Sequence, residues 1–313
     1  MSGGEIREGR VSCATCGEAR PVTAGIVDLM PPDVPEFVRA ESLGLDRFAA
    51  TMRADGWTRE TVLELPYRRD GYWEAQAAAM DQTLQTRELG LAAGKTILDV
   101  GSNTCWASAL LAGRGLNVTA LDINPGEMQG LRTADWWFEQ NGVYFDRVLG
   151  VMFDLPFAHA SFDFVWCCGV LHHNHRSNLY RTMREVRRVL KPGGSAIVVN
   201  EPCRSLRHVK LRPGREVEQY EGHEHVYQPA TYLRAARRAD LRVKIVYPWT
   251  VRMFGPFAFE LSDETTIRRA AWMFIVHVVR RVPALRRTVL AYKQFVHGRA
   301  AVNLIATRPE VGA

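Results

Sequence analysis

Thr96-Ile-Leu-Asp-Val-Gly101 and Asn117-Val-Thr-Ala-Leu-Asp122 are two short apolar runs, each carrying an acid near its end. A segment of helical length separates them. Strands buried on both faces read as near-continuous apolar runs. Their alternation with helical segments implies βαβ units and a parallel sheet.

The alternation continues outward from these runs. Helices are predicted at about 104–114 and 126–140, and strands at 146–152 and 162–168. A helix at about 177–190 and a strand at 195–200 follow, with Pro192 and Gly193-Gly194 between them as a helix stop. A helix at 229–239, a strand at 241–247 and a last strand at 301–306 complete the pattern. About 50 residues separate the last two strands, too many for a plain loop, so that stretch should carry structure of its own. Upstream, residues 36–93 read as helical, notably Tyr72-Trp-Glu-Ala-Gln-Ala-Ala-Ala-Met80. Residues 1–34 are polar and turn-rich, ending in Met30-Pro-Pro-Asp-Val-Pro35, and read as a small appendage plus a stiff linker.

Ligands of open α/β sheets bind beyond the carboxyl ends of the strands. Asp99-Val-Gly101-Ser-Asn103-Thr-Cys105 lies at such an end, immediately before a helix whose first N–H groups are unpaired. Gly101 lets the backbone approach a ligand closely. Asp122, ending the next strand, can accept two ribose hydroxyls. A nicotinamide site would also want an acid there, but its G-x-G-x-x-G turn is absent.

The ordered set of Asp99-x-Gly101, Asp122, Leu155-Pro-Phe157, Phe162-Asp-x-Val165 and Leu190-Lys-Pro-Gly-Gly194 resembles the class I S-adenosylmethionine-dependent methyltransferases, of the broad kind that acts on small molecules. The resemblance covers about residues 95–250. It implies an α/β fold: a Rossmann-like, seven-stranded, mostly parallel sheet with helices on both faces and an antiparallel end. A helical segment would precede the core and a helical insert would precede the last strand. It further implies S-adenosylmethionine as cofactor, with Asp99, Gly101 and Asn103 around its methionine part and Asp122 on its ribose. Met152 and Phe153 would border the adenine, and Cys168 would offer backbone near the amino group. Asn103 and Cys105 stand where the family commonly has glycines. Val151 stands where an acid often reads the adenine. The organisation expected is a zinc-ribbon-like remnant and linker at 1–34 and a helical cap at 35–94. The cofactor-binding core follows at 95–249, then an insert capping the substrate at 250–299, and a last strand and tail at 300–313.

Methyl transfer needs an aligned acceptor, and a hydroxyl acceptor also benefits from a base. Two histidine segments leave the ligand edge: Val170-Leu-His-His-Asn-His175 and Glu221-Gly-His-Glu-His225. His173 resembles a histidine frequent in the family. Segments like the second border the acceptor pocket in relatives acting on sugars and natural products. His173 and His225 are therefore the candidate bases, with His172 and His223 as neighbours in the same role. Each also fits a loop-shaping role. Glu201 could orient a base or simply hold its loop. His223 and His225 lack a clear third ligand, so no metal site is expected there.

Cys13-Ala-Thr-Cys16 looks like half of a zinc ribbon. Four ligands are usual and two are present, so a metal-free remnant is expected, with an upstream start or distant ligands as alternatives. The six cysteines form no disulfide framework and no apolar signal segment opens the chain, so a cytoplasmic setting is expected. A net charge of +6 permits an anionic partner without demanding one. Arginines crowd the C-terminal part, where Thr266 to Arg281 reads as a basic amphipathic helix. Peripheral membrane or lipid-linked contact through 266–299 is one reading, and packing over the sheet with arginines in water is the other. Its apolar run, Ala270 to Val279, is too short to span a bilayer.

Three functions fit this sequence. The first is methylation of oxygen or nitrogen on a small molecule, natural product or sugar-bearing metabolite. The second is methylation of a ribosomal RNA base, favoured by charge and the ribbon fragment but lacking an aromatic-basic surface for flipped bases. The third is a non-catalytic binding module, motivated by the altered glycine loop. Oligomeric state is open.

Overall fold

The structure is a computed structural model that describes residues 5–69, 72–86, 89–204, 206, 225–246, 274, 277–279, 281–292 and 299–310. Its centre is the parallel sheet. Strands β4 (Thr96–Val100), β5 (Asn117–Asp122), β6 (Asp146–Leu149), β7 (Phe162–Cys168) and β8 (Leu190–Arg204) pair in the order β6-β5-β4-β7-β8. Antiparallel β10 (Arg299–Thr307) joins β8, and β9 (Arg242–Val246) joins β10 outside it. These are the seven strands expected.

The sheet is wider than expected, with ten strands among the described residues. Strands β1 (Gly9–Ser12), β2 (Ala19–Thr23) and β3 (Ile26–Asp28) continue it from the other end. Residues read above as part of an appendage thus lie in the sheet: β3 pairs in parallel with β6, Ile26 opposite Arg147 and Asp28 opposite Leu149. The Arg147 side chain is fully buried there, paired with Glu5 and, at 3.0 Å, with Asp135. A buried guanidinium is tolerated only when paired and hydrogen-bonded. Arg7 adds two more bonds to Asp135, at 2.9 and 3.1 Å. Cys13 and Cys16 are exposed, in the turn between β1 and β2. No group of three His, Cys, Asp or Glu side chains among the described residues could hold a metal ion.

Period-two alternation sends the strands' side chains into two cores. Ile97, Val118, Ala120, Phe164, Trp166, Ile197 and Val199 face one side. They pack with α2 (Arg59–Leu63), α3 (Tyr72–Leu84), α4 (Trp106–Gly113) and α5 (Ala134–Asn141). Leu98, Val100, Leu121, Val165, Cys167, Ala196 and Val198 face the other, against α6 (Arg176–Val189) and α7 (Pro229–Arg238). Helix α6 buries Leu179, Met183, Val186 and Val189, one stripe at helical spacing. Each such burial contributes about 1.5–3 kcal/mol.

Most elements begin and end within a few residues of expectation. The strand predicted at 146–152 stops at Leu149, and the helix predicted from 126 begins at Ala134 after a 3-10 turn. Gly193-Gly194 does not end a helix directly: α6 stops at Val189, and Gly193 lies inside the long β8 in a left-handed conformation, φ +77°.

Helix α1 (Glu36–Ala54) buries Val38, Leu45, Ala49 and Met52 along one stripe. The same stripe buries Glu41. Its contacts go to loops that follow β5, β6 and β7, so α1 crosses the carboxyl edge of the sheet, where the site lies. The expected insert at 250–299 falls largely outside the described residues, as do residues 221–224 with His223. The described part of the insert includes helix α8 (Pro283–Tyr292). The basic helix predicted from Thr266 lies outside the described residues except at 274, 277–279 and 281. No helix among the described residues is long and apolar enough to cross a membrane.

Candidate active site

The turn after β4 carries the first half of the site. Gly101 has φ +70°, and a Cβ built on it would clash with Val170 from the loop after β7. Its glycine therefore serves a backbone-to-loop approach inside the protein. Asn103 (φ +45°) and Cys105 (φ +57°) also adopt left-handed conformations. The positions where glycines are common thus keep a glycine-like backbone. Asn tolerates it easily; a Cys there costs of order 1 kcal/mol.

Asp99 and Asp122 end neighbouring strands and are both buried. Burial pushes Asp99 up to about 7, against a 2.5 Å bond from the Ser108 hydroxyl and helped by the nearby Asp122 charge. Burial also pushes Asp122 up to about 6, opposed by backbone N–H groups and reinforced by Glu41. Asp122 accepts from Asn103 N–H at 2.8 Å and Asn124 N–H at 2.9 Å, one on each oxygen. A carboxylate offers about four lone-pair sites, so capacity remains for further donors.

Helix α1 braces this half. Asp46 accepts from Asn124 Nδ2 at 3.0 Å. The Asn103 side chain donates to Gln129 at 2.9 Å, and Gln129 donates in turn to Met52 Sδ. Asn103 Oδ1 is buried with no hydrogen-bond partner among the described residues.

The second half is the loop after β7. Glu201 on β8 is fully buried and accepts from Val170 N–H (3.1 Å), Leu171 N–H (3.0 Å), His172 N–H (2.7 Å) and His172 Nδ1 (3.0 Å). It shapes the Leu171–His173 turn from below. His173 lies against His172, ring centroids 4.3 Å apart, with its Nδ1 2.6 Å from Glu41. His225 joins them: its N–H donates to the His172 carbonyl at 2.7 Å, and its ring lies edge-on to His175 at 5.5 Å. The Tyr227 hydroxyl donates to the Asn174 carbonyl and ties the same loop.

Both candidate bases, His173 and His225, therefore stand in one cluster. Met152 and Phe153 follow β6; Met152 is half-buried with its sulfur 2.9 Å from Asn174 Nδ2, and Phe153 packs on Phe37 of α1 at 5.9 Å. Cys168 ends β7 and is half-buried. Sequence reasoning missed Glu41, Asn124 and Gln129. Glu41 left one signal, an acid within an apolar helical stripe.

The residues that carried the resemblance match a known family. Residues 98–198 match the model of the methyltransferase domain. The demethylmenaquinone methyltransferase of Tropheryma whipplei (strain Twist) is 33% identical over 138 residues, covering 44% of this chain and 52% of the relative. The malonyl-[acyl-carrier protein] O-methyltransferase of Serratia marcescens is 29% identical over 191 residues, covering 59% and 69%. The chain spans about half the length of the first of these relatives. Among solved structures, a chain from the complex between the Haloferax volcanii Trm112 methyltransferase activator and a methyltransferase aligns with TM-score 0.52 and 19% identity. It covers 85% of this chain and 98% of that one, a likeness of fold. With its motifs in order, the chain carries a match to the methyltransferase domain at its centre and is similar to class I S-adenosylmethionine-dependent methyltransferases.

Proposed function

We propose that the chain transfers a methyl group from S-adenosylmethionine to an oxygen or nitrogen of a small molecule, natural product or sugar-bearing metabolite. The observation that carries this reading is the pairing of two half-sites on one sheet edge. Asp99, the 101–105 turn and Asp122 form one, and the carboxylate-backed histidine cluster forms the other. The relatives' names, demethylmenaquinone and malonyl-[acyl-carrier protein] methyltransferase, support acceptors outside nucleic acid.

The donor set fits the cofactor. Asp122 keeps acceptor capacity for the ribose hydroxyls. The orphaned Asn103 Oδ1 is an acceptor held for an amino donor, beside Asp99 and Gly101 around the methionine part. A buried polar atom left without a partner costs about 1–3 kcal/mol, which a bound donor would recover. Met152 and Phe153 supply apolar surface for the adenine, and Cys168 backbone borders the amino group.

S-adenosylmethionine supplies a methyl group already activated on sulfonium. What remains for the protein is to align the acceptor and take its proton. His173 and His225 are the bases proposed, receiving the proton of an acceptor hydroxyl or amine on a ring nitrogen.

Calorimetric titration with S-adenosylhomocysteine tests the cofactor half. Wild type should bind, and Asp122→Ala should bind about 10–100-fold more weakly, the value of hydrogen bonds to a charged group. Folded wild-type protein that binds none would reject the proposal and favour a non-catalytic role.

A further inference from the structure

Asp99 and Asp122 share one face of the sheet. Strand alternation puts Asp99 on the side of Ile97 and Asp122 on the side of Ala120, both toward the first core. Asp99 lies opposite Ala120, so Asp122 stands two residues further toward the carboxyl edge. Asp99 is 1% exposed and Asp122 5%. Two carboxylates buried as neighbours oppose each other's ionisation.

Their partners differ. Asp122 takes backbone N–H groups on both oxygens. Asp99 receives Ser108 of α4, through its hydroxyl at 2.5 Å and its backbone N–H. Among the described residues, every partner of Asp99 is neutral. Around it stand the Cys105 thiol before α4, the Cys167 and Cys168 thiols of β7, and Asp122 of β5. Glu41 of α1 acts on Asp122, and Glu201 of β8 acts on the two β7 thiols. Burial, and after it the neighbouring carboxylates, raise all three thiols. The guanidinium that reaches this cluster, Arg147, acts on Cys105 and is itself paired with Glu5 and Asp135. Burial therefore dominates at Asp99 and pushes it up to about 7.

The cluster lacks a cation, and the cofactor carries one. Its ammonium belongs to the methionine part, proposed above to lie around Asp99, Gly101 and Asn103, where Asn103 Oδ1 is buried without a partner. Opposite charge brought beside a buried carboxyl favours its ionised form, the more so where water is excluded.

We infer that Asp99 is protonated in the free chain and becomes the carboxylate counter-ion of the cofactor ammonium, so that cofactor binding releases the Asp99 proton to solvent. The inference rests on the cofactor reading above. The carboxyl O–H bond breaks, its proton passes to water or buffer, and an ammonium–carboxylate pair forms with no change of oxidation state. Asp122 plays a different part, since the ribose hydroxyls proposed to meet it are neutral.

Calorimetric titration of the full chain in two buffers of different ionisation enthalpy counts the protons released. One probe is S-adenosylhomocysteine, which keeps the ammonium. The other is methylthioadenosine, which keeps the nucleoside and the sulfur but has neither ammonium nor carboxylate. Affinity for the ammonium follows the ionised fraction of Asp99, about one half at pH 7 and about one tenth at pH 6. S-adenosylhomocysteine should therefore release about half a proton at pH 7 and bind about fivefold more weakly at pH 6. Methylthioadenosine should release less than about 0.2 proton at pH 7 and lose at most about twofold at pH 6, the share of Asp122. Asp99→Asn, or Asp99→Ser should the first variant not fold, should give S-adenosylhomocysteine the pH dependence of methylthioadenosine. S-adenosylhomocysteine binding without proton release overturns the inference, and so does methylthioadenosine releasing as much as S-adenosylhomocysteine. A folded, ligand-binding variant that keeps the fivefold pH dependence overturns it as well. The comparison of the two probes in wild type stands whether or not the variants bind. A wild-type chain that binds no S-adenosylhomocysteine instead overturns the proposed function beneath it.

Discussion

Replacing Glu201 by Gln probes how the histidine loop is built. The carboxylate receives four donors, two on each oxygen: Val170 and Leu171 N–H on Oε2, His172 N–H and Nδ1 on Oε1. The amide keeps one accepting oxygen and turns an NH2 toward the other two donors. Two charge-assisted bonds are lost, and the groups left behind are buried. Hydrogen bonds to charged groups are worth about 1.5–3 kcal/mol each. The expected loss is therefore about 3–6 kcal/mol, a large part of the stability of an ordinary domain. Urea unfolding followed by tryptophan fluorescence measures it, with the slope unchanged if the transition stays cooperative. Hydrogen exchange at Val170, Leu171 and His172 should accelerate even if the loop opens locally instead. A loss below about 1 kcal/mol with unchanged exchange would refute this account of Glu201 as the loop's anchor.

Two further outcomes follow from the cofactor half. Gly101→Ala meets both a left-handed backbone and the Val170 side chain, so it should destabilise by about 2–5 kcal/mol. A thermal melt unchanged within error would contradict the turn geometry. The second concerns pH: Asp99 and Asp122 have folded-state values of about 7 and about 6, above the unfolded carboxylate value. The folded state then binds more protons than the unfolded one. Their contribution is most favourable below about pH 4 and declines as pH rises to about 7, by up to about 1.4 kcal/mol per unit for each group. Asp99→Asn should flatten that decline in urea unfolding measured across the range. Parallel curves for variant and wild type would show that Asp99 titrates normally.

The sheet was legible because its signal is local. Ile97 to Val100, Val118 to Asp122 and Phe164 to Cys168 are apolar runs of strand length, and each became a strand where expected. The three N-terminal strands were not legible, since Ala19–Thr23 and Ile26–Asp28 are too short and polar to announce a sheet. What joins them, buried Arg147 with Glu5 and Asp135, spans distant parts of the chain. At the site, Asp99, Gly101, Asp122 and His173 could be named because each ends a strand or starts the loop after it. Glu41 could not, because only packing of α1 across the sheet brings it to His173. At Gly101 the structure adds a constraint that the sequence does not show: a Cβ there would meet Val170.

The motifs that carried the family resemblance divide between the two sheet edges, and the division has an energetic meaning. At the amino edge, Asp163 accepts from Lys191 at 2.8 Å and from Thr96 N–H and hydroxyl at 2.9 and 2.8 Å. Burial alone would raise that carboxyl, but Lys191 and Thr96 outweigh it and hold it well below the usual range. The Phe-Asp and Lys-Pro-Gly-Gly motifs thus fasten β4, β7 and β8 together, far from any chemistry. Above the unfolded carboxylate value, Asp163 favours folding, and that support disappears as pH falls through its depressed folded value. The carboxyl edge has the opposite sign: Asp99 and Asp122 are driven up by burial and disfavour folding near neutrality. A fold selected only for stability would exchange those buried acids for apolar residues. Keeping them is reasonable where a ligand supplies the missing donors, which is the role proposed for this edge.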